Sequence, residues 1–112
     1  MDIKELYWAA GFLEGEGCFS IANGTALVDG HQKQAEPLHR LVKIFGGKVM
    51  PDQGYYRWRV YGARARGVMM TLYSLMSTRR KERISQVLRH WKLGLGAAIG
   101  PKMLSQLDSL KG

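Results

Sequence analysis

Two carboxylates follow a run of apolar and small residues near the start of the chain. Glu14 and Glu16 end an apolar helical pattern that begins near residue 3, and Gly17 comes directly after them. The helix dipole places partial negative charge at this end, so it favours cations there rather than acids. Carboxylates in a disfavoured position indicate a bound cation. A core helix ended by a glycine cap at Gly17 is the simpler interpretation, but it leaves the two acids unexplained.

The same helical pattern is unusually rich in glycine. Gly11 and Gly15 are four residues apart and share a face, with Ala10 beside Gly11. Each glycine costs about 1 kcal/mol relative to alanine in a helix. Small residues on one face let another helix approach closely, which offsets that cost. We therefore predict a helix over residues 3–15 that packs tightly through this face and presents acids at its end.

Residues 9–17 resemble the LAGLIDADG motif of homing endonucleases. They read Ala-Ala-Gly-Phe-Leu-Glu-Gly-Glu-Gly, and each departure keeps the apolar, small or acidic character of its position. Trp8 before the motif and Cys18-Phe19 after it extend the match. The resemblance implies an αββαββα fold and a DNA endonuclease that uses a divalent metal. Because the chain carries one copy of the motif, the resemblance also implies a homodimer.

The acids and the bases of this chain are unevenly distributed. Its 112 residues include 17 Lys and Arg and 9 Asp and Glu, for a formal net charge of +8. Residues 1–30 hold one base and five acids, so nearly all of the positive charge comes later. Such a distribution fits a polyanion-binding protein that carries a metal site. Charge alone favours a simpler alternative, a basic binding protein without catalysis.

Composition excludes several other classes of protein. With 46% hydrophobic residues the chain is not disordered, and it contains no apolar run long enough to span a membrane and no secretion signal. One cysteine, Cys18, excludes an internal disulfide and a cysteine-rich zinc site. We therefore expect an intracellular protein, cytoplasmic or organellar.

Periodicity predicts an α+β domain over residues 1–92, with a C-terminal extension, residues 93–112, that can form a short helix packed on the same domain. The predicted helices cover residues 3–15, 36–45, 63–76 and 79–91, and the predicted strands cover residues 18–22, 25–31, 48–50 and 55–61. Asn23-Gly24 and residues 51–54 are the predicted turns. This order fits one antiparallel four-stranded sheet with helices packed on one face.

Alternation along the strands predicts a face suited to DNA. Tyr55, Arg57, Arg59 and Tyr61 fall on one side of the best strand, and such a basic and aromatic row matches the major groove and its phosphates. The resemblance implies that the same saddle-shaped surface includes further residues from the other strands: Ser20, Ala22, Thr25, Leu27, Asp29, His31, Lys33, Lys48, and Met50 or Asp52.

The resemblance also implies roles around the motif. Glu16 and the carbonyl of Gly15 would bind the divalent metal, for which Mg²⁺ is the expected ion. Glu14 would brace a dimer interface formed with Ala10, Gly11 and Gly15.

Two further catalytic contributions are implied, and each leaves a choice open. Gln32 would order the attacking water, although strand alternation places His31 rather than Gln32 on the DNA-facing side. A basic residue among Arg79, Arg80 and Lys81 would contact the scissile phosphate; an arginine there acts as an electrostatic clamp because it does not readily lose a proton.

The leading hypothesis is a homodimeric, magnesium-dependent, site-specific double-strand DNA endonuclease. The alternative is a nucleic-acid-binding protein without catalysis on the same scaffold, such as an intron RNA-splicing maturase or a DNA-binding regulator. A third possibility is a generic basic domain whose motif match is accidental. Metal-dependent cleavage separates the first hypothesis from the other two.

Overall fold

A computed structural model describes residues 2–92, and the prediction for residues 93–112 lies outside this range. The chain forms the α+β fold expected from its sequence. Its elements are α1 (Ile3–Glu16), β1 (Gly17–Ala22), β2 (Thr25–Gln32), α2 (Glu36–Phe45), β3 (Lys48–Asp52), β4 (Tyr55–Tyr61), α3 (Gly62–Leu72), a 3₁₀ turn (Tyr73–Leu75) and α4 (Thr78–Lys92). Among these residues no helix is both long enough and apolar enough to cross a bilayer.

The four strands form one antiparallel sheet in the order β1-β2-β4-β3. Asn23 and Gly24 both have positive φ, 53° and 78°, as a type I′ turn requires. The β1–β2 register follows the prediction, pairing Ala22 with Thr25 and Cys18 with Asp29. One face of the sheet is covered by helices, and the other, which we call the open face, is left uncovered by the helices of residues 2–92.

The second hairpin differs from the prediction. Its turn is only Gln53-Gly54, both with positive φ, whereas residues 51–54 were expected to form it. Pro51 and Asp52 belong to β3 and pair with β4. Because β3 is an edge strand, it tolerates a proline that cannot donate a ladder hydrogen bond. The longer strand matters for the site, since it places Asp52 on the open face.

The core lies between the helix-covered face and the four helices. Its largest fully buried side chains come from every layer: Leu13 of α1, Phe19, Val28, Trp58 and Val60 of the sheet, Leu38 and Leu41 of α2, Met69 and Leu72 of α3, and Ile84 and Val87 of α4. Trp58 also donates its indole N–H to the carbonyl of Gly46, 2.8 Å away. This packing fixes the sheet on which the candidate site stands.

The third predicted helix ends earlier than expected. The pattern predicts a helix over residues 63–76, but α3 stops at Leu72 and continues as the 3₁₀ turn to Leu75. Ser77 then caps α4, because its hydroxyl accepts the backbone N–H of Arg80 at 3.4 Å. This break brings the start of α4 against the end of α1.

The junction between α1 and β1 depends on a glycine. A Cβ at Gly17 would lie 2.6 Å from the carbonyl oxygen of Leu13, closer than real side chains allow. Its φ is −86°, so the requirement is steric and not a left-handed backbone. The predicted glycine cap is therefore present, and its close approach lets α1 run directly into the first strand.

Candidate nucleic-acid interface and catalytic residues

The open face carries the side chains that alternation assigned to DNA contact. Register and parity place Ser20, Ala22, Thr25, Leu27, Asp29, His31, Lys48, Met50, Asp52, Tyr55, Arg57, Arg59 and Tyr61 on it. Two of these are not accessible in the protomer, since Leu27 and Asp29 are only 6% and 7% exposed. Tyr55 and Tyr61 are about half exposed, and Lys33 lies just past the end of β2.

Arg57 lies at the centre of this face and contacts residues from two neighbouring strands. Its Nε donates to Nε2 of His31 at 2.8 Å, and its Nη2 lies 2.5 Å from the Asp52 carboxylate. His31 is directly opposite Arg57 in the β2–β4 ladder, and Asp52 is diagonal to it on β3. We call these three residues the Arg57 cluster.

Arg59 is held differently. Its Nε is 3.6 Å from the carboxylate of Asp29, too far for a hydrogen bond, and its Nη1 donates to the hydroxyl of Tyr61 at 3.2 Å. That Nε is buried and has no hydrogen-bond partner among the described residues. Asp29 lies beneath Arg59, where its carboxylate offsets the guanidinium charge and has little access to a ligand.

Glu16 occupies the last position of α1 and is exposed. Its carboxylate makes no ion pair within residues 2–92. Gly15 is also exposed, and it lies in the last turn, where helix carbonyls lack intrahelical donors. Two oxygen donors at one helix end suit a hard cation such as Mg²⁺. In the described part of the chain no cluster of three or more His, Cys, Asp and Glu could hold a metal.

Glu14 joins α1 to the start of α4. Its carboxylate accepts the backbone N–H of Ser77 at 2.7 Å and the Ser77 hydroxyl at 3.0 Å. The backbone hydrogen bond from Ser77 is the main reason that the pKa of Glu14 lies below its ordinary value of 4.5, and Arg80 lowers this pKa further. Glu14 therefore has a structural contact within one chain, and Ser77 is a partner that sequence reasoning missed.

We expect Glu14→Gln to reduce the acid sensitivity of folding. A carboxyl whose pKa is lower in the folded state stabilises the fold above about pH 4.5, and this stabilisation is lost as the pH falls through the folded pKa. Glu14→Gln should cost about 1 kcal/mol of unfolding free energy at pH 7 and less at pH 3. Urea unfolding at both pH values measures the difference.

Glu82→Gln is the control for this prediction, because it removes an exposed carboxylate of α4. Wild type and both variants share the contribution of Glu5, whose pKa is lowered chiefly by its hydrogen bonds with Arg40, so this contribution cancels. Equal losses for Glu14→Gln at pH 7 and pH 3 would contradict the assignment.

His31 and Gln32 lie where α1 enters the sheet, because Gly17 pairs with Gly30. His31 is on the open face and contacts Arg57. Gln32, the last residue of β2, pairs with Tyr56 and has the parity of the helix-covered face. The two residues therefore point to opposite sides, and only His31 joins the Arg57 cluster.

The three residues of the basic run at the start of α4, positions 79–81, lie in different environments. Arg80 is nearly buried, with 13% of its side chain exposed, and its Nε and Nη2 donate to the backbone carbonyl of Glu14 at 3.1 and 2.9 Å. Lys81 places its ammonium 5.8 Å from the ring of Tyr73. Arg79 is exposed. Arg80 is thus the member of the run closest to the acidic end of α1.

Within the described part of the chain, one face of α1 is open to solvent. Ile3 and Tyr7 are 61% and 57% exposed, and a Cβ at Gly11 or Gly15 would meet nothing within 4 Å. These four residues recur every four positions and so form one stripe, which we call the α1 stripe. Ala10 lies outside it, because it is 5% exposed and packs in the core of its own chain.

Comparison with known proteins gives a structural match. No protein-family model matches the sequence, and no curated protein matches it. The fold is similar to that of the homing endonuclease I-CvuI, solved with uncleaved I-CreI target DNA in 2 mM Mg, at a TM-score of 0.66 and 21% identity over 78% of this chain and 65% of that one.

Two further homing endonucleases also match. The archaeal intron-encoded I-Vdi141I, complexed with DNA, gives a TM-score of 0.61 at 21% identity, covering 81% of this chain and 66% of that one. I-TnaI gives 0.57 at 23% identity, covering 80% and 71%. This chain thus spans about two thirds of the length of these proteins. At such identities the match establishes the α+β fold, which is that of the three homing endonucleases.

Proposed function

We propose, taking the homing-endonuclease fold of this chain as the premise, that it is a site-specific double-strand DNA endonuclease of the LAGLIDADG type that acts as a homodimer. One observation carries the proposal. The α1 helix ends at the exposed Glu16 and runs directly into β1, where Gly17 pairs with Gly30, the residue next to His31 of the Arg57 cluster. A DNA-binding surface and an oxygen-donor site for a cation are therefore adjacent.

Glu16 and the carbonyl of Gly15 are the residues that would hold the divalent cation. Both residues are accessible, and the Glu16 carboxylate makes no ion pair within residues 2–92, so its charge is available to a cation. One protomer alone offers too few ligands, so a second copy and the DNA phosphates would complete the shell. When bound, such a cation activates water and neutralises charge on the leaving oxygen.

The remaining catalytic contributions come from residues around the end of α1. Gln32, the last residue of β2, would order water from the helix-covered side of the sheet. Among the basic residues, Arg79 is accessible for a phosphate contact, whereas Arg80 holds the Glu14 carbonyl and so braces the helix that carries Glu16. Lys81 would have to move its ammonium away from the ring of Tyr73 before it could contact the same phosphate.

The homodimer would form through the α1 stripe. Apolar side chains such as Ile3 and Tyr7 are costly to leave in water, and the two glycines leave room for a close helix crossing. A two-fold axis along this stripe would bring the two Glu16 carboxylates together at one end. Dimerisation would therefore complete the metal site and double the DNA-binding surface.

A nucleic-acid-binding protein without catalysis is the second candidate function. It is favoured by the internal engagement of Arg80, which leaves the basic run with less charge for a scissile phosphate. An intron RNA-splicing maturase or a DNA-binding regulator on this scaffold would use the open face without Glu16.

Selection of cleaved duplexes from a random library separates the two functions. The endonuclease predicts that a defined site is enriched when Mg²⁺ is present and that nothing is enriched in EDTA. Enrichment of bound but uncleaved duplexes in both conditions would contradict the endonuclease and support the DNA-binding regulator. Binding to structured RNA with no preference for any duplex would support the maturase.

A further inference from the structure

Two side chains, His31 and Asp52, orient Arg57 in the free protein. The Nε–H of Arg57 donates to His31 on β2, and its Nη2 contacts Asp52 on β3. Arginine has no acceptor, so Nε2 of His31 must accept, and the imidazole proton then lies on Nδ1. Both contacts use the Nε/Nη2 edge of the guanidinium. In the described part of the chain, the Nη1/Nη2 edge is left for a ligand.

Asp52 is unexpected on the open face, because a carboxylate repels the DNA that this face is proposed to bind. Together with Asp29 it offsets two of the three bases on the open face, Lys48, Arg57 and Arg59. Both carboxylates weaken general attraction to phosphate. Their contacts with Arg57 and Arg59 fix the rotamers of these arginines. A side chain whose rotamer is already fixed loses less conformational entropy when it binds a ligand.

We propose that His31 and Asp52 are positioning residues that set Arg57 to read one guanine in each half-site. The free Nη1/Nη2 edge matches the two acceptors, O6 and N7, that guanine presents in the major groove. Arg57 is 26% exposed, enough to present that edge while its other edge stays held. This inference rests on the proposed DNA binding, and it concerns sequence preference rather than cleavage.

The test is selection of bound duplexes from a random library in EDTA, where no cleavage occurs. Wild type should show a guanine preference at one position of each half-site. Arg57→Lys keeps the charge but not the fork, so the preference should be lost. Asp52→Asn and His31→Phe should each reduce it about tenfold at that position and leave the others unchanged.

Glu36→Gln is the matched control, because it removes one exposed acid from α2, away from the open face. Asp52→Asn and this control should both bind random DNA at least as tightly as wild type, since each removes a negative charge. Thermal melting establishes that each variant is folded.

The outcomes separate the inference from the proposed function. If wild type selects a site and Asp52→Asn and His31→Phe keep its guanine preference, the positioning role is overturned. It is also overturned if both variants weaken every position equally, as a merely structural role would. A wild-type protein that selects no sequence at all contradicts the proposed function, and the inference fails with it.

Discussion

Glu16→Gln is expected to lower DNA cleavage by at least about a thousandfold while leaving the protein folded. A bound metal contributes several kcal/mol of transition-state stabilisation, and each 1.36 kcal/mol is a factor of ten in rate. Glu16 supplies the side chain proposed to bind the metal in each protomer, so its loss removes both carboxylates from the dimer. Cleavage of the selected duplex in Mg²⁺, measured under single-turnover conditions, gives the ratio.

Folding should be unaffected by this change. Glu16 is exposed, and glutamine has nearly the same shape, so the unfolding free energy should stay within about 0.5 kcal/mol of wild type. Duplex binding in EDTA should be retained or tightened, because a negative charge beneath the DNA is removed.

Glu14→Gln is the control within the same helix. It makes the identical chemical change two residues earlier, where the carboxylate accepts two hydrogen bonds from Ser77. This variant should lose stability and keep cleavage at temperatures where it is folded, the reverse of Glu16→Gln. Cleavage by Glu16→Gln within tenfold of wild type would contradict the assignment of the metal-binding residue.

The different behaviour expected of these two acids depends on contacts that no sequence pattern predicts. The motif predicts both carboxylates and the end of the helix. The partner of Glu14, however, is 63 residues away in sequence, and it comes within reach only because α3 stops early. The hydrophobic pattern of α3 continues past Leu72, so periodicity alone could not have predicted this break.

In the sheet, too, contacts between residues close in sequence were predictable, whereas contacts between distant residues were not. The β1–β2 register was predictable because a type I′ turn at Asn23-Gly24 determines every pair that follows. The pairing of β2 with β4 is not local, and it places His31 opposite Arg57. Alternation thus predicted the face on which each residue lies, but not the Arg57 cluster or the burial of Asp29 beneath Arg59.

Gly11→Leu is expected to weaken homodimerisation by about a hundredfold or more. A leucine at a close helix crossing overpacks the interface by about 1–3 kcal/mol, and a two-fold interface contains the change twice. Sedimentation velocity over a range of concentrations measures the shift from dimer to monomer. Double-strand cleavage should fall with the dimer, since one protomer carries a single Glu16.

The protomer itself should tolerate this substitution, which makes the test specific to the dimer. A Cβ at Gly11 meets nothing within 4 Å among residues 2–92, and leucine favours a helix over glycine by about 1 kcal/mol. Gly67→Leu makes the same change in α3, where a Cβ also meets nothing within 4 Å, so it should raise stability similarly and leave the dimer intact. If Gly11→Leu and Gly67→Leu sediment alike as dimers, the α1 stripe is not the interface, and the two Glu16 carboxylates would have to meet by another route.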